Sequence, residues 1–306
     1  MQISDKQAQS GSGTKRPDAT LLGIGLLLIA TILFAFQDVL TKQLTTRVSV
    51  TQILVLRYFS FTVFALIIAH SRVGLRSVFR SAWPGLQVAR CLIMCTEIGI
   101  FAYAVRFLGI AEIHAIFSCF PLVITALSVP LLKEQVGWRR WCAVTVGFIG
   151  TLIILQPGSG VFNPAAMLAL VCVLLYSIYN ILTRKVSAKD RFETSLVYFG
   201  VVGLAGSFIA VLGRWQTTDP ETAWLLAGVC FTSVVAHMLL IKSLELASAV
   251  VLQPFNYFIL VWAILFGYLV FGEVLELYEV IGALIVVSSG VYVGLREYQA
   301  STTRRT

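Results

Sequence analysis

Charge is scarce in this sequence: Asp, Glu, Lys and Arg make up 12% of its 306 residues, against 58% apolar residues and a mean hydropathy of +0.87. A soluble domain carries about 25% charged residues, because its water-facing surface must be covered with them. A chain of this length cannot bury so much apolar surface in a single core, so most of its outside must face lipid. Long polar stretches are also missing, and no gap between apolar runs could hold a folded extramembrane domain. Histidine occurs three times, as His70, His114 and His237, and no H-E-x-x-H, G-x-S-x-G or P-loop is present. That argues against an intramembrane enzyme and leaves no motif for a metal or cofactor. The basic residues form no patch interleaved with aromatics, so nucleic acid is not an expected partner. All six cysteines lie inside apolar runs, which excludes a disulfide framework. Cys91 and Cys95 share a helix face without ligands at metal spacing and read as packing residues.

What is there is a series of ten apolar runs: 21–40, 50–69, 84–105, 110–132, 138–155, 164–183, 193–213, 222–241, 246–271 and 277–295. About 20 such residues span a ~30 Å hydrocarbon core as a helix. No alternating pattern marks a barrel. The fold class expected is an all-α integral membrane protein with ten transmembrane helices. Residues 1–20 and 297–306 form polar cytoplasmic tails, the first of disordered composition. The run beginning at Leu21 exceeds a signal-peptide core and has no cleavage site after it. If the N-terminus is cytoplasmic, the inside segments hold 17 Lys and Arg and the outside loops four, Lys42, Arg47, Arg106 and Arg214. That bias predicts both termini inside a multi-pass inner-membrane protein.

The chain also repeats. Asp38-Val39-Leu40-Thr41-Lys42 closes span 1 as Asn180-Ile181-Leu182-Thr183-Arg184 closes span 6, at an offset of 142. Lys133-Glu134 matches Gly272-Glu273 at 139, and Gly150 matches Gly290 at 140. The halves are five-helix repeats, 21–155 and 164–296. Five is odd, so the second half enters from the opposite side, the inverted arrangement many secondary transporters use for alternating access.

The run from Arg90 through Phe101-Ala102-Tyr103-Ala104-Val105-Arg106-Phe107-Leu108-Gly109-Ile110-Ala111-Glu112 carries a resemblance. So do Phe120-Pro121-Leu122, Glu134, Trp138-Arg139-Arg140-Trp141 and Gly147-Phe148-Ile149-Gly150 with Pro157-Gly158. Together they resemble the EamA family of the drug/metabolite transporter superfamily, over about residues 21–296. Arg57 matches the family's arginine in helix 2, and Asp38 with Lys42 its ending of helix 1. The resemblance implies ten helices, cytoplasmic termini and a central cavity lined mainly by helices 1, 3, 4, 6, 8 and 9. Family members move amino acids, S-adenosylmethionine, riboflavin and other metabolites or drugs.

Polar residues within the spans are the candidate site, because a charge at mid-bilayer costs about 2.5–3.5 kcal/mol unless it is paired or wet. Arg57 and Glu97 lie about 10 and 12 Å from the outer ends of spans 2 and 3, with Asp38 and His114 nearer that side. Arg57 is expected to form a static ion pair with Asp38 or Glu97. Arg90, near the inner end of span 3, is expected to snorkel. Glu97 reads equally as a titrating cavity carboxylate or a packing partner, and His114 as an interfacial hydrogen-bonding group. Asn180, His237, Lys242, Gln253 and Asn256 form a matching inner set, and Phe120-Pro121 and Gln253-Pro254 put a proline inside spans 4 and 9. Of the aromatics crowding these spans, Tyr103, Tyr176 and Tyr179 suit stacking on a flat ligand. Small-residue faces at Ala143/Gly147 and Gly290/Gly294 suit close helix contact within a monomer or a homodimer.

The substrate-binding residues expected are Gln37, Asp38, Glu97, Tyr103, His114, Tyr176, Asn180, His237, Gln253 and Asn256, with Arg57 and Arg90 as structural charges. The mix of amides and aromatics, with few buried charges, suits a neutral or zwitterionic solute. Among substrates of the resembled family, riboflavin fits best and S-adenosylmethionine second, ahead of other amino acids and drugs. A passive channel is the remaining alternative.

Overall fold

The computed structural model describes residues 17–132, 137–156, 164–213, 215–247 and 249–303. Among them every regular element is a helix. Span 1 is α1 (Pro17–Thr45), span 2 is α2 (Val50–Arg72), a short α3 (Leu75–Val78) follows, and span 3 is α4 (Pro84–Ala104). Span 4 is two helices, α5 (Ile110–Phe117) and α6 (Phe120–Leu132), and span 5 is α7 (Trp138–Leu155). The second half runs α8 (Ala166–Val186), α9 (Phe192–Val211), α10 (Pro220–Leu246), the pair α11 (Ala249–Asn256) and α12 (Phe258–Phe271), and α13 (Leu277–Thr303). Local chemistry sets these limits. The Ser49 hydroxyl accepts from the Gln52 N–H at the start of α2, satisfying one of the unpaired donors of a first turn. Pro84 and Pro220 begin α4 and α10, where a missing N–H costs nothing. Gly272, at φ 67°, ends α12 in the left-handed conformation.

Seven helical segments among the described residues are long and apolar enough to cross a membrane: Ala19–Thr45, Val50–Arg72, Pro84–Ala104, Ile110–Leu131, Ala166–Val186, Phe192–Val211 and Pro220–Leu246. Trp141–Leu155, Phe258–Phe271 and Leu277–Val293 are apolar but shorter. The second of these is short because span 9 is interrupted at Tyr257.

The interruption of span 4 corrects the expectation of a proline inside a continuous helix. The helix stops at Phe117 and restarts at Phe120, so Pro121 stands in the first turn of α6. The Ser177 hydroxyl of α8 donates to the Val173 carbonyl at 2.7 Å and also lies 3.3 Å from the Phe120 carbonyl at the start of α6.

The most extensive pairings are α1 with α10, α7 with α13, α2 with α9 and α4 with α8. Next come α1 with α12, α4 with α9, α6 with α8 and α2 with α10. Exchanging α1 for α8, α2 for α9, α4 for α10, α5 and α6 for α11 and α12, and α7 for α13 reproduces these pairings. Close approach makes glycine necessary where α7 meets α13: a Cβ on Gly150 would stand 2.9 Å from the Gly282 carbonyl oxygen, and one on Gly282 2.7 Å from that of Gly150.

Candidate functional site

The helices enclose a cavity of about 410 Å³, within the range of small-molecule sites. Its walls come from both halves: α1, α2, α4, α5 and α6 from the first, and α8, α10, α11 and α12 from the second. One wall is aromatic. The Tyr176 ring of α8 lies 5.1 Å from both Phe117 and Phe120, which flank the break in span 4, and Phe101 stands 5.9 Å from Phe117. Phe34 of α1 packs edge-on against His237 of α10 at 5.0 Å.

The polar groups interrupt this apolar lining at separate points. Asp38 Oδ2 and His114 Nε2 are 2.9 Å apart, which ties α1 to α5, and both side chains are largely buried. One helical turn further along α1, Lys42 pairs with Glu273 and donates to the Leu108 carbonyl at 2.8 Å. Glu273 in turn accepts from the Ile110 N–H at 2.7 Å. Two stacked polar ties therefore hold the end of α1 against the start of α5. The His237 Nδ1 lies 2.7 Å from the Ser233 carbonyl, and the Asn180 amide donates to the Tyr176 carbonyl at 2.7 Å, leaving the Asn180 oxygen for the cavity. Among the described residues no cluster has the composition of a metal site.

The EamA-like transporter family matches residues 21–156 and again 163–295. The chain belongs to that family. This EamA-like chain is similar to the riboflavin transporter of Vibrio cholerae, 30% identical over 235 residues covering 76% of this chain and 79% of that one. It is similar to the riboflavin transporter of Rhizobium johnstonii at 26% identity, covering 90% and 92%. It is similar as well to the S-adenosylmethionine uptake transporter of Rickettsia bellii at 23% identity, covering 92% and 97%. A solved crystal structure matches with a TM-score of 0.63 over 92% of this chain and 98% of that one, at 16% identity, a likeness of fold. The EamA-like chain is thus a multi-pass membrane protein of the transporter class with a small-molecule substrate.

Eight of the ten expected site residues line the cavity of this EamA-like chain: Gln37, Asp38, Glu97, His114, Tyr176, Asn180, His237 and Asn256. The side chain of Gln253 lies outside the described residues. Tyr103 does not face the cavity; it is 48% exposed and packs edge-on against Phe107. Tyr179 stacks under Arg90 instead. Thr31, which the sequence did not single out, lines the cavity and accepts a 3.2 Å hydrogen bond from Trp262, one of the aromatics crowding these spans.

Three charge expectations are corrected. Arg57 lines the cavity, and no carboxylate among the described residues lies within 4.0 Å of its guanidinium. His114 is 4% exposed and bonded to Asp38, so it is a buried group rather than an interfacial one. Arg90 does not snorkel; it is 1% exposed and bonded to Gln87, Thr183 and the Ser195 carbonyl at 2.7–3.1 Å, which joins α4, α8 and α9.

Proposed function

We propose that this chain is a ten-span carrier of the inner membrane, with both termini cytoplasmic. Its two five-helix repeats, 21–155 and 164–296, have inverted topology and alternate access to a flat-ringed neutral or zwitterionic metabolite. Riboflavin is the first candidate. The observation that carries this reading is the wall formed by Phe117, Phe120 and Tyr176, set beside the amides of Gln37, Asn180 and Asn256 in one cavity. Aromatic faces take a planar ring, and amides take its polar edge. The riboflavin transporters among the relatives support the same substrate. Lys42, Glu273, Asp38 and His114 then tie the outer end, and these ties part when the site opens outward.

S-adenosylmethionine is the second reading. Asp38 and Glu97 line the same cavity as the aromatic wall, an arrangement that suits a sulfonium cation. The S-adenosylmethionine uptake transporter among the relatives is consistent with it.

One experiment tests substrate and topology together. A riboflavin-requiring strain expresses the chain fused after Thr306 to a reporter that is active only in the cytoplasm. Growth at low vitamin concentration with an active reporter is the expected result. Failure of rescue in well-expressing cells that take up S-adenosylmethionine moves the assignment to the second reading. An inactive reporter at normal protein level contradicts the cytoplasmic C-terminus.

A further inference from the structure

A basic and an acidic side chain line the cavity without meeting. Arg57 of α2 has no carboxylate within 4.0 Å among the described residues, and neither its guanidinium nor the Glu97 carboxylate of α4 has a side-chain hydrogen bond among them. Glu97 is 3% exposed. The two belong to neighbouring helices that share an apolar contact through Leu54, Tyr58 and Ile98, yet their polar ends do not meet. A third group faces the same space. Gln37 of α1 is 2% exposed and lines the cavity, and its Oε1 has no hydrogen-bond partner among the described residues. A buried acceptor left in that state carries a desolvation penalty that a ligand donor relieves. Two neighbouring polar groups are already engaged, Asp38 with His114 and His237 Nδ1 with the Ser233 carbonyl.

Resting on the reading that the metabolite binds in this cavity, the geometry points to a polar subsite of Arg57, Glu97 and Gln37 that grips a ligand edge bearing an acceptor beside an N–H donor. Arg57 donates to the acceptor, and Glu97 and Gln37 Oε1 receive the N–H. The bond to Arg57 is charge-assisted, and so among the stronger kinds. An imide edge of a flat heterocycle has this pattern, and so does the carboxylate and ammonium of an amino-acid head group. In either case the ring rests on Phe117, Phe120 and Tyr176. Arg57 thereby changes from a structural charge to a specificity-determining one.

The test pairs an edit of the ligand with an edit of the residue, measured as binding to the purified full chain in detergent. Riboflavin is compared with N3-methylriboflavin, which lacks the imide N–H. S-adenosylmethionine is compared with its methyl ester, which lacks the carboxylate charge. For the ligand that the wild type binds, the edit is expected to weaken binding about tenfold or more. N3-methylation should cost little further in Glu97→Ala, and esterification little further in Arg57→Gln. The arm that shows this coupling identifies the imide or the head group. Edits that cost as much in the variants as in the wild type overturn the subsite. If the wild type binds neither ligand, the substrate reading falls, and stability decides the subsite separately. Thermal shifts of Arg57→Gln, Glu97→Gln and the double variant should then add within about 2 °C. Recovery of stability in the double variant would reveal a closed ion pair and refute the subsite.

Discussion

Arg57 and Arg90 are the same residue type within spans of similar hydropathy, yet the fold puts them to different uses. Arg90 is enclosed by groups from three helices, with Gln87 relaying to Asp190 at 2.8 Å. Burial alone would raise the Asp190 carboxyl. Bonds from Ser81, the Ala82 N–H and Gln87, with the charge of Arg90, hold it below the ordinary aspartate range. A depressed folded value adds stability above the unfolded aspartate value, near 3.9, that is lost as pH falls through the folded one. Arg90→Ala leaves the Gln87 and Ser195 acceptors without their donor, and each such buried group should cost about 1–3 kcal/mol. Arg90→Lys should recover only part, since an ammonium cannot span the same fork. Thermal unfolding in detergent measures both, and wild-type stability in Arg90→Ala would show the cluster to be dispensable. Sequence could not separate the two arginines, because depth along a span says nothing of azimuth. Snorkelling for Arg90 and pairing for Arg57 were reasonable inferences from depth alone. The same blindness put Tyr103 on the cavity: it and Phe101 are two residues apart, so their side chains point to different sides of one helix.

At the level of elements, span limits were legible to within a few residues because each apolar run ends at a Pro, Gly or charged break. The lining of the cavity was also largely legible, since polar residues are rare in these spans and a cavity is where they are tolerated. The two broken spans were visible only as prolines. The prolines do not mark where each span breaks: Pro121 follows the break in span 4, whereas Pro254 precedes the one at Tyr257. In span 9 the break residue, Tyr257, reaches α13: a Cβ on Gly290 would lie 1.7 Å from its hydroxyl. Gly290→Ala should therefore push Tyr257 out of its slot and disturb the adjoining Asn256 on the cavity wall. Overpacking of this kind costs about 1–3 kcal/mol, so folding should survive while the apparent Michaelis constant rises. Unchanged uptake in Gly290→Ala at equal protein level would show that the break in span 9 tolerates displacement.

Over the whole molecule, the cavity is built by both halves, and the helix pairings are reproduced when the halves are exchanged. A single site shared between two similar halves is what a rocking carrier needs. Matches at offsets of 142, 139 and 140 were enough to find the repeat, but packing alone reveals how the halves interlock. Substrate identity was the least legible property, because it depends on which side chains face inward together rather than on which are present. The account's central claim is that a flat-ringed metabolite crosses the membrane through this cavity. Uptake of labelled riboflavin into proteoliposomes, for the wild type, Tyr176→Ala and Tyr103→Ala, tests it most directly. The expected result is saturable uptake with the Michaelis constant raised in Tyr176→Ala, by an amount consistent with losing a stack of about 1–3 kcal/mol, and unchanged in Tyr103→Ala. Non-saturable flux, or flux indifferent to Tyr176, would contradict it.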